Sequence, residues 1–114
     1  MTSPRRGEVW TADLDPTRGH EQAGTRPVLV LSVDAFNRSP AGLVTVLPIT
    51  RKARELNTRV PIAPPEGGLE FASFVIAEQV RTISIERLHK YCGKVKPATQ
   101  AAVGRIVRTL LGFD

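Results

Sequence analysis

Residues 27 to 33 read Pro-Val-Leu-Val-Leu-Ser-Val, an apolar run rich in β-branched side chains. A run of this length and composition is typical of a strand that is buried on both faces. Pro27 is tolerated at its first position, because a proline there interrupts no hydrogen-bonded ladder. We therefore predict that this segment is a central strand and that the rest of the chain is arranged around it.

The segments on both sides of this run also favour strands. Gly7 to Leu14 has one face more apolar than the other, and Leu43 to Ile49 is again apolar, with Pro48 indicating an edge or a bulge. Residues 64 to 68, Pro-Pro-Glu-Gly-Gly, are a strong turn signal. Further short strands are predicted at Thr58–Ala63, Phe71–Ile76, Gln79–Ile85 and Tyr91–Val95. Short helical turns are predicted in Asp34–Pro40, capped by Asp34, and in Ser84–Leu88, capped by Ser84.

A convincing helical period occurs only near the C-terminus. Apolar residues recur there at the spacing of one helix face, at Val103, Ile106, Val107, Leu110 and Leu111. Pro97 suits the first helical turn and Gly112 suits the end of the helix. The pattern predicts a mainly β protein with little α structure, built as a small antiparallel barrel with a C-terminal helix packed on it. Closure of the barrel, or an edge hidden in a dimer, would protect the sheet edges.

Length and composition limit the classes of protein that the chain can be. Its 114 residues, of which 41% are hydrophobic and 24% charged, predict one globular domain over residues 1–114, with residues 1–6 as a mobile tail. The longest apolar runs are too short to span a bilayer, and no secretory signal is present, so a cytoplasmic location is expected. The single cysteine, Cys92, excludes an internal disulfide and a thiolate-rich zinc site. The net charge of +5 favours an anionic partner such as nucleic acid.

The polar stretch Gly19–Pro27 is the segment with the most chemistry. It reads Gly-His-Glu-Gln-Ala-Gly-Thr-Arg-Pro and places an imidazole, a carboxylate, an amide and a guanidinium within a few residues. A loop held between two strands can present such groups at one place. By pattern alone, a solvated charged loop is the clearly favoured interpretation.

The chain resembles the MazF/PemK (Kid) toxins of bacterial toxin–antitoxin systems. The resemblance begins with Gly7-Glu8-Val9-Trp10 and Leu14-Asp15-Pro16 and is most specific in the segment that runs from Gly19 to Ser32. It continues at Phe36-Asn37-Arg38, Pro48-Ile49-Thr50 and Glu78-Gln79-Val80-Arg81-Thr82-Ile83 and ends in the amphipathic helix. It therefore covers nearly the whole chain in order.

This resemblance implies a small SH3-like barrel of the plasmid-toxin type that forms a homodimer. It also implies an endoribonuclease that needs no metal or other cofactor and cuts single-stranded RNA at short sequences, which leaves a cyclic phosphate and a 5′-hydroxyl. A cognate antitoxin protein would bind and block the enzyme. Such cleavage needs a base for the 2′ proton, an acid for the leaving 5′ oxygen and positive charge beside the phosphate.

The resemblance also assigns candidate site residues. Arg26 matches the central arginine of the family, and a guanidinium suits bidentate contact with phosphate, although a structural ion pair with Glu21 is the alternative. Glu21 is the first candidate for the base. Glu78 is a second candidate, in a place where Kid-type proteins have an aspartate. His20 matches a Kid-type histidine that suits proton transfer or substrate contact. Thr50 matches a threonine that binds the phosphate, and an ordinary residue at the end of a strand is an equally good interpretation.

Several positions depart from the family pattern or carry a weaker assignment. Kid-type proteins have an arginine where this chain has Ile76, so catalysis here would depend more strongly on Arg26. Gln79 and Arg81 could contact RNA or support the site, or simply form hydrogen bonds within the barrel. The charged loop from Arg51 to Asn57 is the best candidate for a segment that contacts RNA and sets the preferred cleavage sequence, with a solvated run of charges as the alternative. Its possible RNA-contacting cations are Arg51, Lys52 and Arg54.

Two other classes of function are compatible with the sequence. One is a toxin of the same fold that does not cleave RNA but binds a protein such as gyrase. The other is a small barrel that only binds nucleic acid. The clustered Glu21–Arg26 motif favours the ribonuclease, because a protein-binding toxin has no need of it.

Overall fold

The computed structural model describes residues 3–113 and contains seven β-strands and two α-helices. The strands are β1 (Glu8–Asp13), β2 (Thr25–Val30), β3 (Leu43–Thr50), β4 (Arg59–Ile62), β5 (Ser73–Ile76), β6 (Arg81–Ser84) and β7 (Leu88–Lys94). The helices are α1 (Asp34–Asn37) and α2 (Pro97–Leu111), and short 3-10 turns cover Glu66–Gly68 and Ile85–Arg87. The mainly β prediction with a C-terminal helix is confirmed.

All strand pairs are antiparallel, in the order β4-β5-β3-β2-β1-β7, with β6 also paired to β3. The predicted central strand, β2, lies between β1 and β3, as expected for an apolar run. The sheet is barrel-like but does not close, so barrel closure is not the device that protects its edges. The outer edge of β7 is instead approached by the 3-10 turn Glu66–Gly68. A Cβ atom on Gly68 would lie 1.9 Å from the Cys92 carbonyl oxygen, so only glycine allows this contact.

Pro48 lies where β3 changes its pairing partner. Residues 43–46 of β3 pair with β6 and residues 49–50 pair with β5, whereas Pro48 pairs only with Val28 of β2. A proline has no N–H to donate, so it fits the gap between two partner strands. The predicted irregularity at Pro48 is therefore this change of partner inside the sheet.

Two buried clusters fill the core. One combines β1, β3, β4 and β5 with Val103 and Val107 of α2, and the other contains Trp10, Leu14 and Val28. The helical period is confirmed over most of α2, which begins at Pro97 and ends before Gly112 at φ 78°. The prediction that one apolar face is buried along the whole helix is wrong at its C-terminal end, because the side chains of Leu110 and Leu111 are 47% and 52% exposed. The last turn of the helix has no strand to cover it.

The predicted segment boundaries differ from the structure in a few places. β2 begins at Thr25 and ends at Val30, and β7 begins at Leu88, three residues before the predicted start. The Ser84 cap is confirmed, since its Oγ accepts the Glu86 N–H at 3.3 Å. The Asp34 cap is wrong: Asp34 is the first residue of α1, and its Oδ1 accepts the Arg6 N–H at 2.8 Å.

The N-terminal segment is attached to the domain from Pro4 onwards. Pro4 is buried, and its carbonyl oxygen accepts a hydrogen bond from Asn37 Nδ2 at 3.0 Å. The Arg5 N–H donates to Glu8 Oε1 at 2.7 Å. These contacts contrast with the mobile tail predicted for residues 1–6, of which Met1 and Thr2 lie outside the described residues.

Candidate functional site

An open cleft of about 890 Å³ lies beside the C-terminal half of β3 and the start of β2. Four of its lining residues are predicted site residues, namely Arg26, Thr50, Arg51 and Lys52, and a fifth, Gln22, follows Glu21 in the sequence. The other walls come from β1, β7, the start of β5 and the segment before it, and include Thr11, Phe71, Ser73, Lys90 and Cys92. The cleft therefore joins residues that are far apart in the sequence.

Arg26 and Thr50 both line this cleft, although they are 24 positions apart in the sequence. The β2–β3 ladder ends at the pair Val28–Pro48, and Arg26 and Thr50 lie two residues beyond that pair on their own strands, at the same end of the ladder. A guanidinium and a hydroxyl thus reach the same cleft, where both can donate hydrogen bonds to one phosphate.

Arg26 is held through one side of its guanidinium. Its Nε donates to the Ala23 carbonyl oxygen at 2.8 Å, which leaves the two terminal nitrogens to serve a ligand. The ion pair with Glu21 that the sequence left open is not formed. Glu21 Oε1 instead accepts the Arg18 N–H at 2.9 Å. Both residues lie in the connection between β1 and β2, residues 14–24, which we call the Glu21 loop.

Thr50 and the basic residues after it form the opposite wall of the cleft. Thr50 is only 5% exposed, and its Oγ1 accepts the Lys52 N–H at 3.2 Å, so the hydroxyl proton remains for a ligand. The Arg51 guanidinium lies over the Phe71 ring, 4.4 Å from its centroid, a cation–π contact that orients the charge. Arg54, the third cation predicted in this loop, is exposed and does not line the cleft.

A second, smaller pocket of about 280 Å³ contains the two candidate carboxylates. It is lined by Glu21, Gln22, Pro48, Glu78, Gln79, Val80 and Arg81. The structure therefore separates Glu21 and Glu78 from the Arg26 cleft, although Gln22 lines both. The side chain of His20 is exposed and lines neither space.

Glu78 is tied into an ion pair that the sequence did not reveal. The Arg59 side chain is 4% exposed, and its Nη2 lies 2.9 Å from Glu78 Oε2. Thr58 Oγ1 also donates to Glu78 Oε1 at 2.8 Å. Partial burial acts to raise the pKa of Glu78, but the hydrogen bonds from Arg59 and Thr58 outweigh it and lower the pKa below its ordinary value. A carboxylate held in this way is a weak base, so Glu21 suits the proton-accepting role better.

Gln79 connects this ion pair to the Glu21 loop. Its Oε1 accepts the Gln22 N–H at 2.9 Å and its Nε2 donates to the His20 carbonyl oxygen at 3.2 Å. One amide side chain thus holds the backbone on both sides of Glu21. Of the three interpretations of Gln79, these contacts fit support of the loop that carries Glu21. The Gln22 Oε1 atom is buried and has no hydrogen-bond partner among the described residues.

Sequence reasoning missed the contribution of β7 to the cleft. Cys92 has no partner on β1, because Val9 pairs with Gly93 and Trp10 with Tyr91, so it forms a bulge. Burial raises the pKa of the Cys92 thiol and outweighs the nearby charge of Lys90. The thiol is therefore protonated at neutral pH. No local period could reveal this bulge, since it depends on how two distant strands pair.

The described residues contain neither a cluster of metal-binding side chains nor a helix that could span a membrane. Residues 3–113 hold no group of three or more His, Cys, Asp or Glu side chains placed to bind a metal ion. Within the same range, the longest apolar helix falls short of what is needed to cross a membrane.

Comparison with known proteins identifies relatives of this chain. Residues 5–111 match the model of the PemK-like, MazF-like toxins of type II toxin–antitoxin systems. The chain is 37% identical to Endoribonuclease MazF9 of Mycobacterium tuberculosis over 109 residues, which are 91% of this chain and 92% of that protein.

Solved structures show the same fold. MazF from Deinococcus radiodurans superimposes with a TM-score of 0.87 at 28% identity, covering 98% of this chain and 99% of that one. A mycobacterial endoribonuclease solved in complex with its cognate antitoxin gives a TM-score of 0.82 at 29% identity, with 98% of each chain covered. The match over residues 5–111 and the relative that is 37% identical over 91% of the chain show that the chain belongs to the PemK-like, MazF-like toxin family.

Proposed function

We propose that this protein is an endoribonuclease toxin that cleaves single-stranded RNA at short sequences without a metal ion. The observation that carries the proposal is that Arg26 and Thr50 line one cleft together with Arg51 and Lys52. This arrangement offers a guanidinium, a hydroxyl and two further cations to a phosphate. Relatives named as endoribonucleases, such as MazF9, support the assignment.

In the proposed reaction, the 2′-hydroxyl oxygen of the RNA attacks the adjacent phosphorus while its proton passes to a base. The bond from phosphorus to the 5′ oxygen breaks, and that oxygen takes a proton from an acid. The products are a 2′,3′-cyclic phosphate and a 5′-hydroxyl. Arg26 stabilises the charge that develops on the phosphate, and Thr50 donates a hydrogen bond to it.

Glu21 is the proposed base, and His20, on the same loop, is the alternative. Glu21 lies in the side pocket rather than in the Arg26 cleft, so the loop must turn its carboxylate towards the substrate when RNA binds. The Glu21 side chain is exposed and is held only by the Arg18 N–H, so this rotation breaks one hydrogen bond. Cleavage of messenger RNA in this way would inhibit translation and growth.

A cognate antitoxin and a second copy of the chain are the proposed protein partners. The mycobacterial neighbour was solved with its cognate antitoxin, which supports a similar partner here. Leu110, Leu111 and Phe113 form an exposed apolar patch at the end of α2, with Phe113 77% exposed. A patch of this kind suits a homodimer interface.

A toxin that binds a protein target such as gyrase is the second candidate function. Such a toxin has no use for a guanidinium and a hydroxyl in one basic cleft. The cleft geometry therefore favours the ribonuclease.

The test is incubation of the purified protein with a long single-stranded RNA in excess EDTA, with mapping of the product ends. Arg26→Ala should abolish cleavage, and Arg38→Ala, which removes an exposed cation outside the cleft, should cleave like the unchanged protein. Discrete cuts with cyclic phosphate ends would support the proposal. A folded, active Arg26→Ala protein, or no cleavage by the unchanged protein over a varied RNA pool, would overturn it.

A further inference from the structure

A basic groove of about 620 Å³ lies where the N-terminal segment, the end of β7 and α2 meet. Its cationic lining residues are Arg6, Lys94, Arg105 and Arg108, and none of its described lining residues is acidic. The charge has a basis in the sequence. From Cys92 to Phe113 the chain contains four lysine or arginine residues and no aspartate or glutamate.

The middle of this groove has room for a ligand. Gly104 of α2 lines it, and a Cβ atom built on Gly104 meets no other atom within 4 Å. Its other uncharged lining residues are small or polar: Val95, Pro97, Gln100 and Ala101. The groove thus offers point charges around an open centre, without the deep apolar pocket that anchors a bound peptide.

Strand β7 connects the groove to the cleft of the proposed active site. Lys90 and Cys92 line the cleft, and Lys94 lines the groove. Four residues of extended chain span at most about 13 Å. A polyanion that leaves the cleft along β7 therefore meets the groove within a short distance.

We propose that this groove, defined by Arg6, Lys94, Gly104, Arg105 and Arg108, binds the phosphate backbone of single-stranded RNA outside the cleavage site. The inference rests on the proposed function, since it extends the path of the same substrate. Contacts of this kind hold RNA through charge and carry no base preference. The groove increases affinity for long RNA and leaves the cleavage sequence to the cleft.

Position 104 allows a test that removes no existing contact. Gly104→Glu places a carboxylate among the four cations, and Gly104→Gln is a neutral control of the same shape. Both replacements should be accepted by the helix, because glycine is a poorer helix former than either residue. The measurement is the affinity for a long single-stranded RNA and for one of about 6 nucleotides, a length that fills a single site. The Arg26→Ala background prevents cleavage during the measurement.

We expect Gly104→Glu to weaken binding of the long RNA about fivefold or more, the effect of losing at least one phosphate contact near 0.1 M salt. Gly104→Gln should bind like its parent, and binding of the short RNA should not change. The double change Lys94→Gln/Arg105→Gln should lower the slope of log affinity against log salt by about 1.4, and Arg38→Gln should not alter it.

Equal binding of long RNA by the Glu and Gln variants would overturn the proposal. Loss of binding to polyglutamate with no loss for RNA would assign the groove to an acidic peptide instead. A change in sedimentation mass in these variants would assign it to an interface between copies. Cleavage of short RNA by the unchanged protein tests the proposed function separately, because the binding measurements need no cleavage.

Discussion

Gln79 holds Gln22 across 57 residues of sequence, through a hydrogen bond of 2.9 Å from the Gln22 N–H to Gln79 Oε1. Gln79 directly follows Glu78, which is anchored to the buried guanidinium of Arg59 on β4. The loop that carries Glu21 is therefore fixed to the sheet through a chain of contacts from Arg59 to Glu78, Gln79 and Gln22. Glu78, a candidate base by resemblance, therefore has a structural role in this series of contacts.

Removal of the Gln79 amide should loosen the Glu21 loop without unfolding the domain. Gln79→Leu deletes the bonds to Gln22 and His20, so we expect RNA cleavage to fall about tenfold or more, while stability changes by about 1 to 2 kcal/mol. Hydrogen exchange at the Gln22 amide should become faster. Gln79→Glu is the matched control, since its carboxylate still accepts the Gln22 N–H. Unchanged exchange at Gln22 in Gln79→Leu would contradict the role.

The Arg59–Glu78 pair should matter mainly for stability. Arg59→Met removes a charge that is nearly buried and leaves Glu78 partly buried without its partner, so we expect a loss of about 2 kcal/mol in the free energy of unfolding. Urea denaturation measures it. Arg38→Met, at an exposed site, should change stability by less than about 0.5 kcal/mol. A loss in Arg59→Met no larger than in Arg38→Met would show that the pair contributes little.

The same pair predicts how stability depends on pH. The pKa of Glu78 is lower in the folded protein than its ordinary value of 4.5, so the ionised form stabilises the fold. This contribution is complete above pH 4.5 and is lost as the pH falls through the lower folded pKa. Urea midpoints measured from neutral to acid pH should therefore fall less steeply for Glu78→Gln than for the unchanged protein. Parallel curves for the two proteins would be inconsistent with this assignment.

The hydroxyl of Thr50 should be needed for cleavage more than for folding. Thr50→Val keeps the shape but removes the donor, so we expect kcat to fall about 100-fold. The lost bond to the Lys52 N–H should cost about 1 kcal/mol of stability. Thr50→Ser retains the hydroxyl and should keep most of the activity. Full activity in Thr50→Val would remove Thr50 from the site.

Cys92 should react slowly for a thiol that lines an open cleft. Burial raises its pKa, so little thiolate is present at neutral pH. We expect alkylation by iodoacetamide to be several-fold slower than that of a free thiol at pH about 8, with the rate rising as the pH increases. The reacted protein should lose RNA cleavage, because the adduct occupies the cleft. Cys92→Ala should cleave RNA before and after treatment.

Much of the fold could be predicted because its signals are local. The apolar run of β2, the period of α2 and the turn at residues 64–68 each depend on a few neighbouring residues, and each was found in the structure. The Arg59–Glu78 pair and the bulge at Cys92 were missed, because they depend on the pairing of distant strands. The carboxylates were expected near Arg26, since Glu21 is close to it in sequence, but the two side chains line different spaces.

Local features of the sequence were enough to identify the type of chain: its strands and helix, its basic charge and the loop from Gly19 to Pro27 that marks its family. These properties follow from residue types and from spacings of a few residues. The folded structure was needed to show that Arg26 and Thr50 line one cleft, that Glu78 pairs with Arg59 and that Gln79 holds the Glu21 loop. The reason is that strand register and sheet order bring together side chains whose separation in sequence carries no signal of contact.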